Sequence, residues 1–167
     1  LPLDTSIMPT GFCWQPNGTL VFSSLKGHVF SASDSNGDGA EDRLRLLHEG
    51  LSAPYGVLAL DETLVRQLCR NAADAKGILS NRALVVAARP DVSLLVDLDG
   101  DGHYERQEQL PVADQWGLTD DYHEWTTSPV LDSKSRLYWG LSSDYTDKNR
   151  PKNRSTYRGK ILRLSLD

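Results

Sequence analysis

Two nine-residue acidic stretches constrain this chain more than any other feature. They are Asp34-Ser35-Asn36-Gly37-Asp38-Gly39-Ala40-Glu41-Asp42 and Asp97-Leu98-Asp99-Gly100-Asp101-Gly102-His103-Tyr104-Glu105. Each places oxygen-bearing side chains at its first, third, fifth and ninth positions and glycine at its sixth. A hard cation such as Ca²⁺ takes six to eight oxygens at about 2.3–2.6 Å, and this alternation aims several of them into one concavity. The candidate ligands are Asp34, Asn36, Asp38 and Asp42 in the first loop, and Asp97, Asp99, Asp101 and Glu105 in the second. Asp, Asn and Gly also build ordinary solvated turns. The repetition of the whole spacing is what points to a cation.

The flanks decide what kind of loop this is. An EF-hand needs a helix on each side and a Glu at position twelve. Glu108 fills that place in the second loop, but Arg45 stands there in the first. The residues leading in, His28-Val29-Phe30 and Ser93-Leu94-Leu95-Val96, read as strands. Both loops are therefore strand-turn-strand connections, and a calcium in them would pin a turn.

Short strands surround them. Gly11 to Gln15, Thr19 to Leu25, His28 to Ala32 and Arg43 to His48 form a four-stranded meander, with Pro16-Asn17-Gly18 as a hairpin signal. The order restarts with Pro54 to Leu60, Ala83 to Ala88, Val92 to Val96 and Arg106 to Val112. A third round runs through Thr126 to Leu131, Leu137 to Leu141 and Gly159 to Asp167. The loops begin 97 − 34 = 63 residues apart. The 21 residues from 62 to 82 have helical spacing instead, with Leu64, Val65, Leu68, Ala72, Ala75 and Leu79 on one face. Removing them leaves 42, and a four-strand unit of about 40–45 residues is the period of a β-propeller blade.

The expected fold is all-β, a partial β-propeller of about two and a half four-stranded antiparallel blades with one inserted helix. The blades fall at about 11–50, 53–112 (with the insertion 62–82) and, incompletely, 123–167. The helix reads as a lid on the rim before it reads as a partner-binding element. A propeller ring takes four to eight blades, so the chain is expected to be a fragment of a longer propeller protein. That it begins with Leu1 rather than Met also fits a mature product or an excised piece. The net charge of −5 argues against a nucleic-acid surface. No apolar run approaches the roughly 20 residues of a membrane-spanning helix. Cys13 and Cys69 match no metal or redox spacing and are expected to be free and partly buried.

A resemblance now comes into view. Gly159-Lys160-Ile161-Leu162-Arg163, followed by Asp167, resembles the "GKILR" strand of the glucose/sorbosone dehydrogenase family. His123, then Leu137-Tyr138 with Gly140 and Asp144 beyond, is similar to that family's histidine and "LY" strand. The Pro16 to Phe22 pattern with an acidic loop behind the third strand resembles the membrane-bound dehydrogenases of planctomycete-type bacteria, often joined to cytochrome c modules. The resemblance implies a six-bladed ring, pyrroloquinoline quinone (PQQ) and calcium as cofactors, and a sugar or related alcohol as substrate. It also implies a cytochrome c electron acceptor and a periplasmic or otherwise extracytoplasmic location. His123 would be the catalytic base taking the substrate hydroxyl proton, a task suited to imidazole at neutral pH. The family has His-Asn-Gly-Gly where this chain has His123-Glu124-Trp125-Thr126, and its quinone-clamping cations belong to later blades.

Blander readings stand beside these. His123 could simply hydrogen-bond at a strand start, and Asp120 and Asp121 could be loop carboxylates. Trp116, Tyr122 and Trp125 suit packing between blades before sugar stacking. Lys148, Arg150, Lys152, Arg154 and Arg158 read as a solvated basic loop before an anion site. The rival function is a non-catalytic, calcium-stabilised propeller scaffold or interaction module. A lactonase-type hydrolase would need acidic and Asn ligands pointing into the axis, whereas these loops lie at strand ends.

Overall fold

Short apolar strands punctuated by Gly, Pro and Asn turns build three antiparallel sheets in the computed structural model, which describes residues 7–68, 82–110, 116, 123–142 and 157–165. The first sheet has the order β1 (Pro9–Trp14), β2 (Leu20–Ser24), β3 (His28–Ser33), β4 (Arg43–His48). Its first turn closes because Gly18 takes φ 84°, where a side chain would be strained, and donates to the Gln15 carbonyl at 2.9 Å. The second sheet has the order β5 (Gly56–Ala59), β6 (Ala83–Ala87), β7 (Val92–Val96), β8 (Glu105–Gln109). The third contains β9 (Val130–Leu131), β10 (Arg136–Gly140) and β11 (Ile161–Ser165), with β10 in the middle. The expected strand from Thr126 is shorter than its sequence suggested, since Thr126 makes only an isolated bridge to Leu141.

The expected helix begins where the spacing placed it. α1 (Glu62–Leu68) follows Asp61, whose carboxylate accepts from the Leu64 N–H at 2.9 Å as an N-cap. Residues 69–81 of the expected helical stretch lie outside the described residues. Leu64 and Val65 are buried against the second and third sheets, which fits a helix laid on the rim.

The sheets stack face to face. Val21, Val29 and Leu47 of the first meet Val57, Leu84, Val86 and Leu95 of the second. The other face of the second sheet, with Val85, Val92, Leu94 and Val96, meets Leu137, Trp139 and Leu141 of the third. This is why β6 is apolar throughout and β7 apolar but for Ser93, whose hydroxyl donates to Asp91: both their faces are covered. The leading strands converge through small residues. A Cβ on Gly11 would stand 2.5 Å from the Gly56 Cα, and one on Gly56 would collide with Ser128. Strand pairing within sheets and close backbone approach between their leading edges is the arrangement of propeller blades.

The two outer faces differ. On the first sheet Phe12, Phe22, Phe30 and Leu46 lie in one cross-strand row, and Trp14, Leu20, Ala32 and Leu44 in the next. Phe12 and Trp14 are 58% and 61% exposed, so this apolar face is open. On the third sheet Asp132 instead accepts from the Arg136 Nε at 2.6 Å and the Tyr138 hydroxyl at 3.1 Å.

Candidate functional site

Each acidic loop connects the third and fourth strands of its sheet, and the two share one backbone design. The first carboxylate turns back over the loop. Asp34 accepts from the N–H groups of Gly37 (2.6 Å) and Gly39 (2.8 Å), and Asp97 from those of Gly100 (2.6 Å) and Gly102 (3.2 Å). All four glycines have φ between 79° and 88°, so both loops need glycine at their fourth as well as their sixth position. The ninth-position acids close the loops. Asp42 accepts from Ser35 N–H and hydroxyl, both at 2.8 Å, and Glu105 accepts from Leu98 N–H at 3.0 Å. Hydrogen bonding from Gly39 and Gly37 holds the Asp34 carboxyl below the ordinary carboxylate range, and the Ser35 N–H and hydroxyl do the same for Asp42.

The structure brings Asp97, Asp99 and Asp101 together, each offering an oxygen within 4.8 Å of the others'. Oxygens on a sphere of radius about 2.4 Å are separated by at most about 4.8 Å, so this set fits Ca²⁺. Glu105 lies outside that group of three, engaged instead with the Leu98 N–H. In the first loop the middle carboxylate is replaced by Asn36, whose amide donates to Asp38 at 3.1 Å.

Their surroundings differ more than their sequences. Asp97 is only 5% exposed, while positions 35–40 of the first loop are all open to solvent. The second loop sits in the seam between the first two sheets. Tyr104 N–H donates to the Leu47 carbonyl at 2.7 Å, and the His48 Nδ1 lies 2.5 Å from the Tyr104 carbonyl. Arg45, from β4, donates to the Asp101 carbonyl. Arg45 is the residue that breaks the twelfth position of the first loop, and the fold delivers it to the second. The same seam holds a polar cleft of about 300 Å³ lined by Gln15, Asn17, Ser31, Arg45, Arg82 and Tyr104, among others. Gln15 donates to the Tyr104 hydroxyl at 2.9 Å on its floor, and burial pushes that hydroxyl's pKa up. Sequence reasoning missed this cleft, because its residues come from five separate segments.

His123 lies in a turn whose backbone is fixed from two sides. Its carbonyl accepts from the Ser142 hydroxyl at 2.7 Å and from the Trp125 N–H at 3.0 Å. The next residue, Glu124, is 1% exposed and faces Arg158 at 3.8 Å and Arg89 at 3.9 Å. Arg158, expected on a solvated loop, has a side chain only 1% exposed. Burying a carboxylate at this depth requires cationic partners, and that draws Arg158 inward. Trp116 is buried 6.2 Å from Trp139, and Trp125 packs 4.7 Å from Tyr55. Asp120, Asp121, Tyr122, Asp144, Lys148, Arg150, Lys152 and Arg154 lie outside the described residues. A quinone bearing several carboxylates would need cations free to face it. Arg89 and Arg158 face Glu124 instead, so the described residues do not assemble such a cradle.

The acidic loops and His123 occupy opposite ends of the sheets. Thr126 donates to the Arg89 carbonyl in the turn before β7, whereas Asp97 directly follows β7. Asp91 and Asp97 flank that strand, 97 − 91 = 6 steps or roughly 20 Å apart. A cation on the second loop would therefore act on the turn and the seam, out of reach of His123.

No known protein family matches the sequence, and no curated protein does. Solved structures do. The holo PQQ domain of pyranose dehydrogenase from Coprinopsis cinerea matches with a TM-score of 0.63 and 12% identity, over 96% of this chain and 34% of that one. An oxidoreductase described as a glucose dehydrogenase, from Thermus thermophilus, matches with a TM-score of 0.62 and 16% identity, over 96% of this chain and 45% of that one. The calcium structure of a carbohydrate-active enzyme of Family AA12 from Trichoderma reesei gives 0.63 and 12%, over 96% and 36%. The chain thus has the fold of a β-propeller and spans about a third to a half of the length of these proteins.

Proposed function

We propose that this chain is a calcium-binding β-propeller segment of a quinone-dependent dehydrogenase that oxidises a sugar or related alcohol. The observation that carries the reading is the buried ionic group directly behind His123. A carboxylate and a guanidinium at 1% exposure are costly in a core that apolar residues could fill, and such groups concentrate at functional sites. The propeller fold, shared with proteins described as pyranose and glucose dehydrogenases, supports it.

Within this reading His123 accepts the proton of the substrate hydroxyl, and Glu124 with Arg89 and Arg158 fixes the backbone that presents it. PQQ would take the hydride, held largely by blades outside this chain. Calcium belongs to the Asp97 loop, where Asp97, Asp99 and Asp101 hold it in a structural role, with Asp34, Asn36 and Asp38 forming the weaker counterpart. The units 11–50, 53–112 and 123–167 are successive blades, and an extracytoplasmic protein passing electrons to a cytochrome c is the setting that the resemblance implies.

The test is reconstitution of the full-length protein with PQQ and Ca²⁺, followed by reduction of an artificial electron acceptor across a sugar panel. Turnover is expected, and His123→Ala should lower it by about 10²–10⁴-fold while the melting temperature holds. Absence of both quinone binding and turnover would favour a calcium-stiffened scaffold. The distance between the acidic loops and His123 is the observation that keeps this second reading open.

A further inference from the structure

From the cleft in the seam between the first and second sheets we infer a binding site for a small oxyanion, a carboxylate or a phosphate group, with Arg82 as its main anchor and Arg45 as its second. Three observations converge on it. The space is about 300 Å³, at the lower end of volumes that hold small molecules. Its lining carries two guanidiniums against one carboxylate. That carboxylate, Asp97, already accepts N–H donors on both oxygens, from Gly100 and Gly102. Within the lining, two guanidiniums thus outnumber the one carboxylate, whose oxygens are already engaged by N–H groups.

Arg82 makes the case specific. Its backbone is fixed, because its carbonyl accepts from the Asp97 N–H at 2.9 Å and β6 begins at the next residue. Its side chain is half-buried and lies over Gly100, where any Cβ would collide with the guanidinium. Among the described residues nothing takes a hydrogen bond or an ion pair from that guanidinium. A half-buried guanidinium fork matches two oxygens of a carboxylate or phosphate in parallel. Arg45 approaches from β4 with one amino group committed to the Asp101 carbonyl, so its remaining donors can serve the same anion. Asn17 and Ser31, from the first sheet, add neutral polar groups on the facing wall. The site does not rest on the catalytic role of His123, which lies at the other end of the sheets, although it shares Asp97 with the cation loop.

The experiment is a titration of the full chain with sodium acetate, inorganic phosphate or glycerol at constant ionic strength in calcium-free buffer, read by NMR at the arginine Nε–H signals. Saturable shifts of the Arg82 signal with acetate or phosphate are expected, and the tighter of the two identifies the oxyanion. Arg82→Gln should weaken binding at least tenfold and Arg45→Gln by less, with Arg82→Lys in between because it keeps the charge and loses the fork. Among the described residues the Arg82 side chain has no hydrogen bond to lose, so its variants should melt as the parent does, even if Arg45→Gln fails to fold. Absence of saturation with both anions, equal saturation by glycerol, or unchanged affinity in Arg82→Gln would each overturn the site.

Discussion

The two acidic loops are near copies in sequence and in backbone, yet they are different objects in the folded protein. The Asp34 loop hangs in solvent and is satisfied by its own N–H groups. The Asp97 loop uses the same internal bonds but is also built into the seam, with Asp97 buried, Tyr104 bonded to Leu47 and Arg45 reaching across to Asp101. The difference is that a turn motif gains weight when other elements lean on it. Losing the first loop should cost a turn, and losing the second should loosen two sheets.

The largest test of this contrast is Asp97→Ala against Asp34→Ala. Removing Asp97 strands the N–H groups of Gly100 and Gly102 beside a buried position, a loss of about 3 kcal/mol. For a chain of this size that is roughly 6–12 °C in Tm. Asp34→Ala should lower Tm by less than half as much, because water can replace the carboxylate. Equal losses in a thermal melt would mean that the two loops carry equal weight in the fold.

Calcium sharpens it next. At a free concentration a hundredfold above Kd, a cation binding only the folded state stabilises by about 2.7 kcal/mol. Chelation should lower the melt, and the double substitution Asp99→Asn with Asp101→Asn should abolish most of the increment. Asp38→Asn in the first loop should leave most of it. An unchanged melt with chelator, together with no ion by elemental analysis, would sink the metal assignment.

The first loop should contribute to the acid response, beside Asp132 of the third sheet, whose carboxyl the Arg136 side chain also holds low. Asp34 and Asp42 have folded pKa values held below their unfolded ones, so their contribution is present above the unfolded carboxylate pKa of about 3.9. It is lost as pH falls through the folded values. Melting followed from pH 6 to pH 2 should therefore fall less steeply in Asp42→Asn than in the parent.

The smallest effect is chemical. Cys13 lies half-buried on the side of the first sheet that faces the seam, and burial pushes its thiol up to about 11. In a Cys69→Ser background, a thiol reagent at pH 8 should label Cys13 slowly in the folded chain and quickly in denaturant. Asp97→Ala should speed the folded-state labelling if the second loop holds the seam, and Asp34→Ala should not.

Much of this was legible in the chain itself. The three sheets, their order and the helix beginning at Glu62 follow from short apolar runs, turn residues and a change of period. The turn itself follows from nine local residues, because the carboxylates that cap its N–H groups belong to the loop. Arg45 shows where such reading stops. In sequence it only spoils the twelfth position of the first loop, and its structural meaning lies with Asp101, 101 − 45 = 56 residues away. Arg158 looked like part of a solvated basic stretch, and burial with Glu124 reversed that.

The sequence by itself determined the strands, the turns and the internal bonding of the acidic loops, since each depends on residues close along the chain. Only the tertiary structure decided which loop is buried, that the acidic loops and His123 stand at opposite ends of the sheets, and that five distant segments enclose a polar cleft. Those are properties of stacking, set by which apolar faces meet, and no local spacing encodes them.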